Sequence, residues 1–171
     1  MRRIIEALNK AALAALGSRE ESSDFIDPGR LVEGDLELVL IRKFYGNSGS
    51  GDLPTYRFKM VHLGDDKEIG RIDLRAGDTE RVLLYLGHIG YRVDPKYRGN
   101  HYAARSTHLL LPLARQHGLS TLWITCNPDN LPSRRTCEFL GAELVEIVDV
   151  PNNSDFYRAG EIQKCRYRLD L

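Results

Sequence analysis

Apolar and polar residues alternate through the middle of this chain, while helical spacing marks its start and part of its second half. Ile5, Leu8, Ala12 and Leu16 recur on one side of a helix that Gly17 closes. Residues 18–33 are polar and charged around Pro28-Gly29 and read as a linker or wrapping loop. From Leu36 the period becomes two. Leu36, Leu38 and Leu40 alternate with Glu37, Val39 and Ile41 in a first predicted strand, which GNSGSGD interrupts. Tyr56, Phe58, Met60 and His62 share one face of a second, and Gly64-Asp65-Asp66-Lys67 turns tightly into a third over Glu68 to Arg75. The three form an antiparallel meander.

A fourth strand, His88 to Asp94, places Ile89, Tyr91 and Val93 on one face and His88, Gly90 and Arg92 on the other. Asp94-Pro95 ends it, and residues 96–100 form a loop. The following helix has Ala103, Ala104, Thr107, Leu110, Leu111 and Ala114 on its apolar face, Pro112 as a predicted kink and Gly118 as its stop. Then come a short apolar strand (119–126), a brief helix (132–140) closed by Gly141, and strands over 142–150 and 165–169. A helical crossover returns the chain in the same direction, so the fourth and fifth predicted strands are parallel. The fold class is α/β, a mixed and mostly antiparallel sheet with helices on it. Residues 1–33 form an N-terminal helix and linker, and 34–171 a single domain.

Charge and cysteine content narrow the partners. The chain has 171 residues, with 24 basic and 24 acidic side chains and a formal net charge of +0, so no overall field draws it to nucleic acid or an anionic membrane. The three cysteines, Cys126, Cys137 and Cys165, make no CxxC pair, and neither a disulfide framework nor a metal site is expected. A reducing cytoplasm suits them. The basic, partly apolar start has the outline of a secretory signal, but Glu6, Asn9 and Lys10 interrupt the apolar run such a segment needs. No stretch is long and apolar enough to span a bilayer.

The segment YRVDPKYRGNHYAARS sets a strand end, a loop with Arg98, Gly99 and Asn100, and a helix start in immediate succession. The first N–H groups of a helix lack internal partners and carry the positive end of its dipole, so this layout suits an anion such as a diphosphate. An ordinary strand-to-helix turn with a glycine in it stays open on spacing alone.

The residues RGNHYA resemble the R/Q-x-x-G-x-G/A signature of the GNAT acetyltransferase superfamily. GHIGYRVDPKYRGNHYAARSTHLLLPLA is similar to that family's fourth strand, pyrophosphate loop and third helix, and CNPDNLPSRRTCEFLGA to its later asparagine-initiated helix. With WITCNPDN and the tail KCRYRL, the chain resembles a bacterial group of acetyltransferases within the superfamily. The resemblance implies a GNAT fold with helices on both faces of the sheet, and acetyl-CoA as cofactor. Its pantetheine would pair with the main chain of Tyr91, Arg92 and Val93. Its pyrophosphate would lie on Arg98, Gly99, Asn100, His101, Tyr102, Ala103 and Ala104. Asn130 matches a cofactor-contacting asparagine, and is also a natural helix cap before Pro132. His101 departs from the signature, replacing its middle glycine, so it either avoids or tolerates positive φ.

Acetyl transfer to an amine needs a group to take the amine's proton and a proton for the departing thiolate. Thr125, Gly87 and Cys137 occupy the positions where many relatives carry a glutamate or tyrosine for these tasks. The remaining candidates are His88, whose imidazole titrates in a useful range, and Tyr157, in the loop between the last two strands. The side chain of Tyr91 reads as core packing, and Cys137 as a small buried residue rather than a covalent relay. Asp73 and Arg75 could meet an acceptor's charge. The expected function is N-acetylation of a small-molecule or peptide amine by direct attack. A non-catalytic module that binds CoA or an acyl-CoA is the alternative. The N-terminal helix could pair two subunits as a homodimer.

Overall fold

The structure, a computed structural model, describes residues 24–47 and 52–171. The N-terminal helix expected over the first 17 residues lies outside them. One eight-stranded sheet organises the chain, comprising β1 (Leu31–Glu33), β2 (Leu36–Asn47), β3 (Asp52–His62), β4 (Glu68–Arg75), β5 (Ile89–Val93), β6 (Thr121–Cys126), β7 (Glu143–Asp149) and β8 (Gln163–Asp170). Helix α1 (Tyr102–Gln116) links β5 to β6, α2 (Leu131–Phe139) links β6 to β7, and the single turn α3 (Asp155–Arg158) lies between β7 and β8.

Alternation is converted into a core by register. Leu38 pairs with Met60 and Leu40 with Phe58 across β2 and β3, and Phe58 pairs with Ile72 across β3 and β4. Leu36, Leu38, Tyr56, Phe58, Met60, Ile72 and Leu74 therefore share one buried face, against which Leu110, Leu113 and Ala114 of α1 pack. The irregularity after Leu40 shifts the register by one residue and leaves Ile41 exposed. Leu111, assigned to the apolar face of α1, is only half-buried; Tyr102, Ser106 and Leu113 are buried instead. Pro112 sits on the exposed side of α1, where a freed carbonyl can be hydrated.

The strand order is β1-β2-β3-β4-β5-β6-β8-β7. β5 and β6 are parallel, as the crossover requires. The final strand inserts between β6 and β7, pairing antiparallel with both. Part of the expected linker is sheet: Leu31–Glu33 pairs with β2, and Arg105 of α1 donates to Glu33 O and Asp35 Oδ1, each at 2.7 Å, holding that turn to the helix. On the opposite face of the sheet, a π-type turn over Val82–Leu86 crosses β6 and β8. There Thr125 Oγ1 donates to Tyr85 O (2.8 Å) and Arg166 Nε to Leu83 O (2.8 Å). Arg81 forms a two-point ion pair with Asp155 and joins this turn to α3.

Candidate active site

The parallel strands β5 and β6 meet at one point and then part. Ile89 pairs with Ile124, and the His88 N–H reaches Trp123 O at 2.7 Å; past these residues the strands share no further pairing. The gap becomes a cleft of about 680 Å³ lined by Leu86, residues 89–93 and 124–127, the Arg98–Gly99 loop, the start of α1, and the first turn of α2. That volume fits a small-molecule or cofactor site.

Strand geometry aims the backbone of β5 into this gap. The bonds Arg75 N–H to His88 O (2.8 Å) and Asp94 N–H to Ile69 O (2.9 Å) frame the β4–β5 ladder. Alternation between them turns the main-chain groups of Tyr91 and Val93 away from β4 and toward the cleft. Val93 O accepts from Arg98 Nε at 3.2 Å, which draws the arginine over the mouth of the gap. Arg92 also lines the cleft, with its side chain exposed.

The loop ends at His101, whose φ of 56° lies in the left-handed region, the position where a glycine would be unstrained. Histidine accepts that conformation here. Its ring stacks on Phe139 of α2, with centroids 4.1 Å apart and planes at 18°. His101 caps α1 without a side-chain bond, and the first intrahelical bond of α1 is Arg105 N–H to His101 O, at 2.9 Å. The N–H groups of Tyr102, Ala103 and Ala104 therefore face outward at the positive end of the helix dipole. Tyr102 and Ala103 line the cleft, as do Arg98, Gly99 and His101. Asn100 and Ala104 do not: the Asn100 amide donates to Tyr97 O (3.1 Å), bracing the loop, and the Ala104 side chain packs in the core.

Across the gap, Asn130 caps α2 by accepting from the Ser133 N–H (3.2 Å), and it lines the cleft as well. The Tyr91 hydroxyl crosses to Ser133, with Oη and Oγ 2.9 Å apart. Burial holds the Tyr91 phenol well above its usual range, so it stays protonated. Ser133 was not among the residues expected from sequence, although a hydroxyl in the first turn of a helix opened by Asn130 was the available signal. Lys164 was also missed. It is buried on β8, where its Nζ donates to Asn127 Oδ1 (2.8 Å) and pairs with Glu161 (2.9 Å). Three cations two residues apart, Lys164, Arg166 and Arg168, were its sequence signature.

A family model, the acetyltransferase (GNAT) domain, matches residues 2–143. The chain belongs to the GNAT acetyltransferase family. Solved GNAT structures share its fold at low identity. An acetyltransferase (GNAT family) from Bacillus anthracis superposes with a TM-score of 0.51 at 21% identity, covering 67% of this chain and 65% of that one. A candidate ribosomal-protein-serine acetyltransferase from Vibrio cholerae gives a TM-score of 0.59 at 16% identity, over 85% of this chain and 100% of its own. A ribosomal L7/L12 alpha-N-protein acetyltransferase solved with coenzyme A gives a TM-score of 0.52 at 17% identity, over 68% and 62%. No curated protein matches this GNAT chain.

The two residues singled out for proton transfer lie outside the cleft lining. His88 is fully buried. Its Nδ1 accepts from the Trp123 N–H (2.9 Å), and its Nε2 faces Asp78 Oδ1 (2.9 Å). Accepting at Nδ1 fixes the proton on Nε2, so both nitrogens are engaged. Burial, only partly offset by Asp78, lowers its pKa. Tyr157 is exposed on α3, while Glu161 and Lys164, farther along the same connection, do line the cleft. Cys137 is fully buried and its thiol pKa is driven up by burial, which leaves no thiolate for a relay.

Proposed function

We propose that this GNAT chain transfers an acetyl group from acetyl-CoA to a primary amine, by direct attack in a ternary complex. The observation that carries the reading is the row of outward N–H groups at Tyr102–Ala104, beside Arg98, at one end of the cleft between diverging β5 and β6. The donor set fits coenzyme A. Helix-start N–H groups and Arg98 would hold its diphosphate, and the cleft-facing main chain of Tyr91 and Val93 would hold its amide-bearing arm. The relative solved with coenzyme A and the family match both support this assignment.

Acetyl-CoA supplies an activated thioester carbonyl and a thiolate leaving group. The chain's own residues position the amine, exclude bulk water and stabilise the leaving group. The Tyr91 hydroxyl, kept protonated by burial and bonded to Ser133, would donate a hydrogen bond that stabilises the departing thiolate, which takes its proton from water. His88 sets the vertex of the cleft and does not itself take the amine's proton. Positioning and desolvation then carry much of the rate, with water accepting the amine's proton. The engagement of both His88 nitrogens favours the second reading, a module that binds CoA without turnover.

Calorimetric titration with acetyl-CoA, on the intact protein and on Arg98→Ala, tests the binding. We expect micromolar affinity that the substitution weakens by about tenfold through loss of a charge-assisted contact. Failure of the intact protein to bind would sink the reading. Binding without release of free thiol across an amine panel would favour the module.

A further inference from the structure

Arg75 stands beside the cleft with its charge unmatched. It lies on β4 two residues after Asp73, whose two carboxylate oxygens are both taken by Arg57 from β3, at 2.9 and 2.8 Å. Among the described residues Arg75 forms no ion pair, and its side chain makes one hydrogen bond, from an Nη to Gly87 O at 3.1 Å. Burial is the leading influence on this group and disfavours its cationic form. A half-buried cation without a direct counter-ion costs stability. Such a cost is retained where a ligand supplies the missing charge.

The glycines of β5 show where that ligand would lie. Both terminal nitrogens of Arg75 sit 3.1 Å from where a Cβ on Gly90 would stand and Cζ lies farther, at 3.6 Å, so the guanidinium turns its two-nitrogen edge toward that residue. Gly90 lines the cleft, and its missing side chain leaves the strand open between cleft and arginine. Among the described residues only Arg81 Nε and Ser106 Oγ are buried side-chain polar atoms without a partner, so the unused Arg75 donors remain reachable by solvent. With a diphosphate at the Arg98 loop, an arm running from Val93 back to Ile89 spans about 13 Å at strand rise, and its reactive end arrives beside Gly90.

We propose that Arg75 binds a carboxylate of the acetyl acceptor, which makes the substrate an amino acid or another amine bearing a carboxylate close to its amino group. A guanidinium fork matches a carboxylate in two-point geometry. This inference rests on the acetyl-CoA reading, and its test separates the two.

Calorimetry on protein saturated with CoA, using a panel of N-acetyl-L-amino acids and the matching N-acetyl carboxamides, reads the carboxylate directly. We expect at least one acid to bind about tenfold or more tightly than its amide. Arg75→Gln abolishes that ratio, Arg75→Lys keeps part of it, and both variants bind acetyl-CoA within about twofold of the intact protein, with unchanged circular dichroism. Equal or absent binding of every acid and amide pair, or a ratio that survives in Arg75→Gln, overturns the proposal. Absence of CoA binding by the intact protein overturns the acetyl-CoA reading and this inference with it. CoA binding without discrimination overturns the inference alone.

Discussion

At the vertex of the cleft the His88 side chain takes the place of a main-chain carbonyl. Its Nδ1 receives the Trp123 N–H at 2.9 Å while the main-chain N–H of His88 reaches Trp123 O at 2.7 Å, so one residue adds two bonds beside the Ile89–Ile124 pairing of β5 with β6. His88→Ala leaves the Trp123 N–H without an acceptor and lowers stability by about 1–3 kcal/mol, measurable by urea denaturation. His88→Asn, which carries an oxygen close to the Nδ1 position, recovers part of the loss. The Tyr91–Ser133 pair makes a different prediction. Tyr91→Phe keeps the strand's main chain and removes only the hydrogen-bond donor to the leaving thiolate, so kcat falls by about 100-fold while the acetyl-CoA Kd stays unchanged. An equal loss in binding would show that the hydroxyl serves the cofactor rather than the leaving group.

The junction from loop to α1 concentrates its demands on His101. At a φ of 56° a β-branched residue is strained, so His101→Val costs about 1–3 kcal/mol and weakens acetyl-CoA binding by disturbing the outward N–H groups. His101→Gly, relaxed at that angle, stays within about 1 kcal/mol of the parent and keeps its affinity, as calorimetry and thermal melts will read. This junction was legible in the sequence because its donors are main-chain groups, whose placement depends on where a strand stops and a helix starts. The long strands were legible for a similar reason, since burial of a single face imposes a period of two. Leu31–Glu33 and Asp155–Arg158 were not, being too short to carry a period, and the apolar run at Val82–Leu86 has none. Ser133 and Lys164 escaped for another reason, and so did the bonds that His88 makes. Periodicity tells which face a side chain takes, whereas these contacts depend on partners from distant elements, such as Tyr91 for Ser133, Asn127 for Lys164 and Trp123 for His88.

For the molecule as a whole, two histidines tie stability to pH. Burial lowers the pKa of His88 and of His117, whose Nε2 lies 2.7 Å from the Tyr56 hydroxyl. The unfolded chain holds ordinary imidazoles near pH ~6.5. As pH falls, the unfolded state therefore binds protons first; stability present above that value declines through it and is lost below the native pKa values. Urea midpoints measured from pH 8 down to 5 should fall, and the His88→Asn/His117→Gln double variant, with acceptors but no titration there, should show a flatter profile. A slope unchanged in the double variant would assign the effect to other groups.

The place of β8 between β6 and β7 also bears on how the chain is made. β2, β3 and β4 can pair in the order in which they leave the ribosome, each against its predecessor. Among the described residues β7 has no such neighbour, because it pairs there only with a strand synthesised after it. Until residues 163–170 emerge, Leu144, Val145 and Ile147 belong to an unpaired strand, and the wall that carries Lys164 does not exist. A nascent chain stalled before Gln163 thus presents a sticky, unfinished half-sheet, and the period of synthesis between β7 and β8 is when this protein most needs a chaperone.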